Sequence, residues 1–399
     1  MMVNKKDISC KKQLLRGIKL TKYHSKNIGK LPKGCRQCVR GEKTVLFITG
    51  LCSKRCFFCP ISDKKKNKDV IYANEKPIKL FSELAEEIML CDSKGVGITG
   101  GDPLVKLSRT VEWISLLKKE FGSKFHVHLY TPLVLVSEDS LKKLCLAGLD
   151  EIRFHPDLDN DIFWEQIIIA KKFDWKVGVE IPAIPGKLAA TKKLVKFISD
   201  KIDFLNINEL ELSDTNASKL TAQGFSAKDN ISYGVKGSES DAVKLLNYCL
   251  KLNLESQLDV HYCTTTLKDK VQLAKRIKKR ANNIKKEYDY VDSDGTLIRG
   301  AIYLAELKPA VHYLHKLESL STLKKQELLK KLVEMRKFLM KKYKIPFSLI
   351  EVDTEKIRIL TTLTVVEELS FPLKEKELMP AIVQEYPTWD AMQLDVQFL

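Results

Sequence analysis

The stretch TVLFITGLCSKRCFFCP, residues 44–60, decides how this chain is read. Its first six residues, 44–49, are β-branched, aliphatic or aromatic, a composition that predicts a buried strand. Its remainder packs Cys52, Cys56 and Cys59 and two adjacent phenylalanines into a loop. Thiols that close together in one loop suit a metal better than disulfides.

Two ligand sets compete. Cys35 and Cys38 form one CxxC and Cys56 and Cys59 another, with 17 residues between the pairs, which fits four-thiolate zinc. That choice leaves Cys52 idle and threads a strand through a zinc ribbon. The other set is Cys52, Cys56 and Cys59 alone, a CxxxCxxC. A [4Fe–4S] cluster takes thiolate ligands, and three of them leave one iron open to a substrate or cofactor.

Outward from the loop, strands and amphipathic helices alternate from residue 42 to 212. Strands are expected at 44–49, 95–99, 125–131, 149–154, 176–184 and 204–212. Helices are expected at 78–91, 109–121, 137–148, 160–173 and 190–201. Ser137 is placed to cap one helix and Gly148 to end it. Such alternation implies α/β class and a parallel sheet with right-handed crossovers, either an open sheet or a partial barrel. The polar stretch 213–237 follows the last strand and reads as a lid or binding loop. A helix at 239–252, a strand at 256–263 and a very basic helix at 266–286 come next. The pattern then changes to a hairpin at 288–304 and a long helix at 318–343.

With the strand, the CxxxCxxC, Phe58 before its last cysteine and TGGDP at 99–103, the sequence resembles the radical SAM superfamily. More narrowly, GCRQC, LFITGLCSKRCFFCP and GITGGDP resemble an archaeal group related to pyruvate formate-lyase activating enzymes. The resemblance implies a partial (β/α)6 TIM-like barrel with a smaller C-terminal α+β domain. It implies that Cys52, Cys56 and Cys59 bind the [4Fe–4S] cluster and that S-adenosylmethionine (SAM) chelates the open iron. One electron, from a donor such as ferredoxin or flavodoxin, then releases a 5′-deoxyadenosyl radical that takes hydrogen from a substrate. Gly100, Gly101, Asp102 and Pro103 match the family's Gly-Gly-Glu-Pro element for the methionine amino group, with Asp in place of Glu. By the same resemblance Phe58, Arg153, His155, Asn206 and Asn208 sit where the family contacts SAM. An internal Arg153–Glu180 salt bridge is the competing reading of the buried charges.

Cys35 and Cys38, with Cys263 and His261, are left as ligands for a second metal, zinc or iron–sulfur, or as buried packing. Three domains are expected: an N-terminal extension over 1–41, the barrel with its lid over 42–286, and an α+β substrate-docking domain over 287–399.

The chain has 399 residues and a net charge of +17. With 44% hydrophobic residues it is not a disordered polymer. The basic surface makes tRNA one expected partner, with a solvated lysine face as the other reading. No run approaches a transmembrane length and the N-terminus has no apolar signal core, so no membrane and a cytoplasmic location are expected. The reaction expected is reductive SAM cleavage and hydrogen abstraction from an unidentified substrate, with a non-catalytic zinc-ribbon nucleic-acid-binding protein as the alternative. No catalytic side chain is assigned.

Overall fold

A computed structural model describes residues 17–213, 215–229, 232–252, 258–309 and 313–399. The first 16 residues of the expected N-terminal extension, the start of the strand expected at 256–263 and parts of the 213–237 stretch thus lie outside the described residues. No helix among the described residues is long and apolar enough to cross a membrane.

The strands, in chain order, are β1 (Lys19–Leu20), β2 (Lys26–Ile28), β3 (Lys43–Phe47), β4 (Ile71–Ala73), β5 (Lys76–Ile78), β6 (Gly95–Thr99), β7 (His126–Thr131), β8 (Glu151–Phe154) and β9 (Lys176–Ala183). They continue with β10 (Phe204–Glu209), β11 (Asp259–Cys263), β12 (Tyr290–Val291), β13 (Leu297–Leu304), β14 (Ile350–Asp353), β15 (Arg358–Thr361), β16 (Leu378–Glu385) and β17 (Gln393–Phe398). The chain forms two compact units. One takes in residues up to Arg36, Ile48–Val70 and Gly97–Lys268, and the other Gln37–Phe47, Ile71–Val96 and Asp269–Leu399.

In the first unit the strands lie side by side in chain order from the end of β6 through β7, β8, β9 and β10 to β11. Successive pairs from β7 to β11 are parallel. The order shows no reversal of the kind that marks a doubly wound sheet, so the arrangement is the expected α/β partial barrel. The short β2 adds antiparallel to β11. Alternation sorts the side chains. Val127, Leu129, Ile152, Phe154, Val179, Ile181, Leu205 and Ile207 are buried, at 0% exposure, on one face. The polar residues between them occupy the other face.

Gly178 shows how tightly that polar face is packed. It is registered between Arg153 and Phe204, and a Cβ there would stand 2.2 Å from the Phe204 ring. Glycine leaves the Phe204 ring room to lie 5.2 Å from the Arg153 guanidinium carbon.

Several helix ends differ from expectation. Ile78 belongs to β5, and the helix expected at 78–91 is Phe81–Leu90, because a β4–β5 hairpin precedes it. Asn74, with φ of 52°, turns that hairpin and accepts from the Val45 amide. The helix expected at 160–173 shrinks to Gln166–Ala170. Trp164, just before it, donates its indole N–H to the Asp157 carbonyl at 3.0 Å. Ser137 caps Glu138–Leu146 as expected, accepting from the Ser140 amide.

In the second unit β3, β4 and β5 pair antiparallel. The C-terminal part is the expected α+β fold: β14, β15, β13, β16 and β17 in that order, with β12 on β13. Leu328, Leu332 and Leu339 of the helix Thr322–Tyr343 enter its core beside Ile302, Ile350 and Ile359. The charged Arg358 is buried there by bonds to Asp353, Glu385 and Tyr303.

Candidate cluster and cofactor site

The cysteine loop is closed at its neck by backbone. Gly50 donates its amide to the Lys68 carbonyl at 2.8 Å and accepts from the Asn67 amide at 3.0 Å. A Cβ on Gly50 would lie 1.7 Å from the Lys65 carbonyl oxygen, so only glycine fits. Inside the loop Cys52, Cys56 and Cys59 are half-buried. The Cys59 amide donates to the Cys56 carbonyl, and the Lys54 amide to the Cys52 sulfur at 3.3 Å. Burial raises the Cys56 thiol to about 11, with Cys52 and Cys59 adding to the effect. Lys54 reaches across to Asp157, 2.5 Å away, tying the loop to the segment after β8.

The GGDP segment lies directly against this loop. The Ile48 amide donates to Thr99, Gly101 to the Thr49 carbonyl at 2.8 Å, and Asp102 to the Leu51 carbonyl at 2.8 Å. A Cβ on Gly100 would lie 2.4 Å from the Thr49 oxygen, and one on Gly101 2.3 Å from the Leu51 oxygen. The two glycines are there because backbone meets backbone. Asp102 is fully buried. Its Oδ1 accepts from the Leu104 amide at 3.0 Å and the Thr131 hydroxyl at 2.8 Å. Its Oδ2 is buried with no hydrogen-bond partner. Burial raises the Asp102 carboxyl above its ordinary range, against the two hydrogen bonds. Pro103 opens the short 3-10 turn that Asp102 caps.

The strand residues divide between that end of the sheet and its middle. His155 follows β8, its ring 5.7 Å from that of Phe58 and its Nδ1 2.9 Å from the Glu180 carbonyl oxygen. Arg153 lies deeper. It donates to Glu151 Oε1 from Nε and Nη2, at 2.7 and 2.5 Å, and to Glu180 Oε2 from Nη1 at 2.8 Å. The Arg153–Glu180 salt bridge, the competing reading, is therefore present. Asn206 and Asn208 each donate a side-chain N–H to Glu180, at 2.8 and 3.0 Å. Burial pushes the Glu180 carboxyl up, but Arg153 and the two amides outweigh it and hold it down at about 2.

The stretch 213–237 is more ordered than expected. It contains the helix Ala217–Ala222 and β-bridges Glu211–Gly234 and Ala227–Val235. Asn216 donates to the Phe58 carbonyl at 2.9 Å, and Phe57 and Phe58 pack with Leu220, Leu212 and Phe225. The stretch thus covers the cysteine loop.

The second cysteine set is more dispersed. Cys35 accepts from Asn206 Nδ2 at 3.2 Å, and His261 is the register partner of Asn206 on β11. Cys263 lies one layer further on, beside Asn208, and Cys38 falls in the other compact unit. Among the described residues, the donor atoms of three His, Cys, Asp or Glu side chains converge within 4.8 Å only at His126, His128 and Glu151. Neither cysteine set is drawn in as ligands of a single ion would be.

The basic helix is partly internal. In Ala274–Ile284, Arg280 is buried against Glu87 and the Pro387 carbonyl, and Lys275 donates to the Val39 carbonyl.

Comparison with known proteins agrees with this geometry. The family model described as the radical SAM superfamily matches residues 46–197. A Methanocaldococcus jannaschii protein that carries the provisional name glycyl-radical enzyme activating enzyme is 46% identical over 290 residues, 70% of this chain and 76% of that protein. The chain belongs to the radical SAM superfamily. It is a radical SAM enzyme, and the cofactors of its family are a [4Fe–4S] cluster and SAM. Among solved structures, methylornithine synthase is 15% identical with a TM-score of 0.37, over 59% of this chain and 79% of that one. The radical SAM methyltransferase TsrM of Kitasatospora setae is 11% identical with a TM-score of 0.34, over 46% of this chain and 40% of that one.

The residues present fit both radical SAM cofactors. Three loop thiols are of the kind such a cluster takes as ligands, and Asp102 Oδ2 is a buried acceptor with no hydrogen-bond partner, of the kind an ammonium would fit. Two features of the structure had not been expected from the sequence. One is the His126–His128–Glu151 convergence. The other is Asp69, which fixes the start of the loop by accepting from Thr49 at 3.0 Å and from Arg109 at 2.7 Å. Arg109, chief among its partners, holds the Asp69 carboxyl far below its ordinary range.

Proposed function

We propose that Cys52, Cys56 and Cys59 carry the cluster of this radical SAM enzyme and that its substrate is a glycine residue of a partner protein. The observation that carries the first part is the backbone contact of Gly100–Asp102 with Thr49–Leu51, which sets the cofactor segment against the cysteine loop. When bound, the reduced cluster supplies one electron to split SAM, whose deoxyadenosyl group then takes a hydrogen atom from the substrate.

The chain's own residues hold and shield. Asp102 accepts the SAM ammonium through Oδ2. Phe58 and His155 offer ring surfaces beside the loop, with Arg153, Asn206 and Asn208 fixing the polar floor below. The 213–237 stretch excludes water from the reacting atoms. A small redox protein such as ferredoxin or flavodoxin delivers the electron.

The protein substrate is suggested by the name of the Methanocaldococcus jannaschii relative. A macromolecule needs a docking face beyond the lid, and the α+β domain from about residue 287 supplies one. The buried Arg280 and engaged Lys275 shrink the basic face on which a tRNA would rest.

The test is isotopic. Reduced enzyme and SAM are incubated with glycine peptides and with fractionated cell protein, each carrying α-deuterated glycine. Deuterium in 5′-deoxyadenosine from the labelled protein, with an organic radical EPR doublet when unlabelled protein is used that collapses to a singlet with the α-deuterated protein, is the expected result. Transfer only from a small-metabolite or tRNA fraction would overturn the protein-glycine reading.

A further inference from the structure

We propose that His126, His128 and Glu151 hold a zinc ion at the start of β7 and β8, at the opposite end of these strands from the cysteine loop. His126 and His128 are two residues apart on one strand, so their rings share a face, and register sets Glu151 beside His128. One donor atom from each lies within 4.8 Å of the others. All three side chains are buried, at 2%, 0% and 1% exposure.

The convergence is unlike an ordinary buried ion pair. His126 Nε2 stands 3.7 Å from Glu151 Oε2, beyond hydrogen-bonding reach, and His126 Nδ1 is buried with no hydrogen-bond partner. Zinc bonds of about 2.0–2.2 Å at the tetrahedral angle put neighbouring donors about 3.4 Å apart. The observed gap is within a few tenths of an ångström of that.

Charge points the same way. Glu151 and Glu180 flank one guanidinium, Arg153, in the interior. The other charges facing His126 are Lys33, which is exposed, and the paired Lys118 and Asp150. An ion on two imidazoles and a carboxylate would add positive charge here, and zinc suits that donor set.

The site is sealed by chain. A Cβ on Gly34 would lie 2.6 Å from Arg153 Nη2 and 2.9 Å from His128 Cε1, so the backbone at Gly34 closes over the group. Three protein ligands leave one position for a water. With the cluster loop at the other strand ends, the ion's role is to clamp β7 to β8, independent of SAM chemistry.

The test is metal analysis of the anaerobically purified holoenzyme, whose cluster keeps the loop thiolates occupied. About one zinc per chain is expected to survive dialysis. In His126→Gln/His128→Gln the zinc should fall at least tenfold while iron is unchanged. If that variant does not fold, cobalt exchanged into the wild type decides. Tetrahedral d–d bands without sulfur-to-cobalt charge transfer support the site. Charge-transfer bands would place the metal on cysteine, and no bands with no retained zinc would leave a plain ionic network; either overturns the proposal.

Discussion

Phe57 of the cysteine loop lies parallel to Phe225 of the covering stretch, ring centroids 6.2 Å apart and planes 8° from parallel. Phe57 also meets Phe58 edge-on at 5.1 Å. One aromatic stack therefore joins the ligand loop to its cover, and Asn216 adds a hydrogen bond beside it. An aromatic pair of this kind contributes about 0.5–1.5 kcal/mol beyond area burial.

Phe225→Ala should loosen the cover without unfolding the barrel. Fold and iron content are expected to stay at wild-type values. Bleaching of the cluster absorption in air should become several-fold faster, because water and oxygen reach the loop. An unchanged bleaching rate would show that the stretch does not shield it.

Asp102→Asn replaces the orphaned acceptor Oδ2 with a group that can present a donor. An ammonium facing it loses a charge-assisted bond of about 1.5–3 kcal/mol. SAM affinity, by equilibrium dialysis or calorimetry, should fall at least tenfold, with the cluster intact. The shared Oδ1 bonds to Leu104 and Thr131 should keep the turn folded.

Glu180→Gln probes the interior network. The folded-state pKa of Glu180 is held down at about 2, below its ordinary 4.5. A depressed carboxyl stabilises the fold above the unfolded pKa and loses that stabilisation as pH falls through the folded value. Wild-type thermal stability should therefore drop between about pH 4.5 and pH 2 by more than that of the variant. At neutral pH the variant should be less stable by about 3 kcal/mol, because Arg153 loses a buried charged partner. Equal acid sensitivity of the two proteins would contradict the network.

Gly101→Ala adds a Cβ 2.3 Å from the Leu51 oxygen and 2.8 Å from the Gly50 oxygen. Backbone has to move, and it is the backbone that carries the cysteine loop. Reconstituted iron per chain should fall severalfold while far-ultraviolet circular dichroism is little changed. Full iron loading would mean that this contact does not position the loop.

Much of this is legible in the sequence. GVGIT at 95–99 is apolar, buried and a strand. Alternation placed Arg153 with His155, and Asn206 with Asn208, on common faces. The Arg153–Glu180 pair followed from the cost of unpaired interior charge. Other features lay beyond the reach of sequence because they depend on register or on close approach. His126 and His128 stand two residues apart in β7, but Glu151 joins them only when β7 and β8 are aligned. The β4–β5 hairpin has strands of three residues, too short for alternation to show. Asp69 and Thr49 are 20 residues apart in sequence, with nothing local to connect them. The 213–237 stretch is mostly polar with its few apolar residues scattered, so its helix and bridges give no periodic signal.

The central claim is that Cys52, Cys56 and Cys59 together carry the cluster. Iron and 5′-deoxyadenosine should be measured side by side in anaerobically reconstituted wild type and Cys56→Ala, with dithionite and SAM. The wild type is expected to hold about four irons per chain and to form deoxyadenosine, as a site-differentiated [4Fe–4S] cluster requires. Cys56→Ala should lose both. Deoxyadenosine formation that persists in Cys56→Ala would contradict the account.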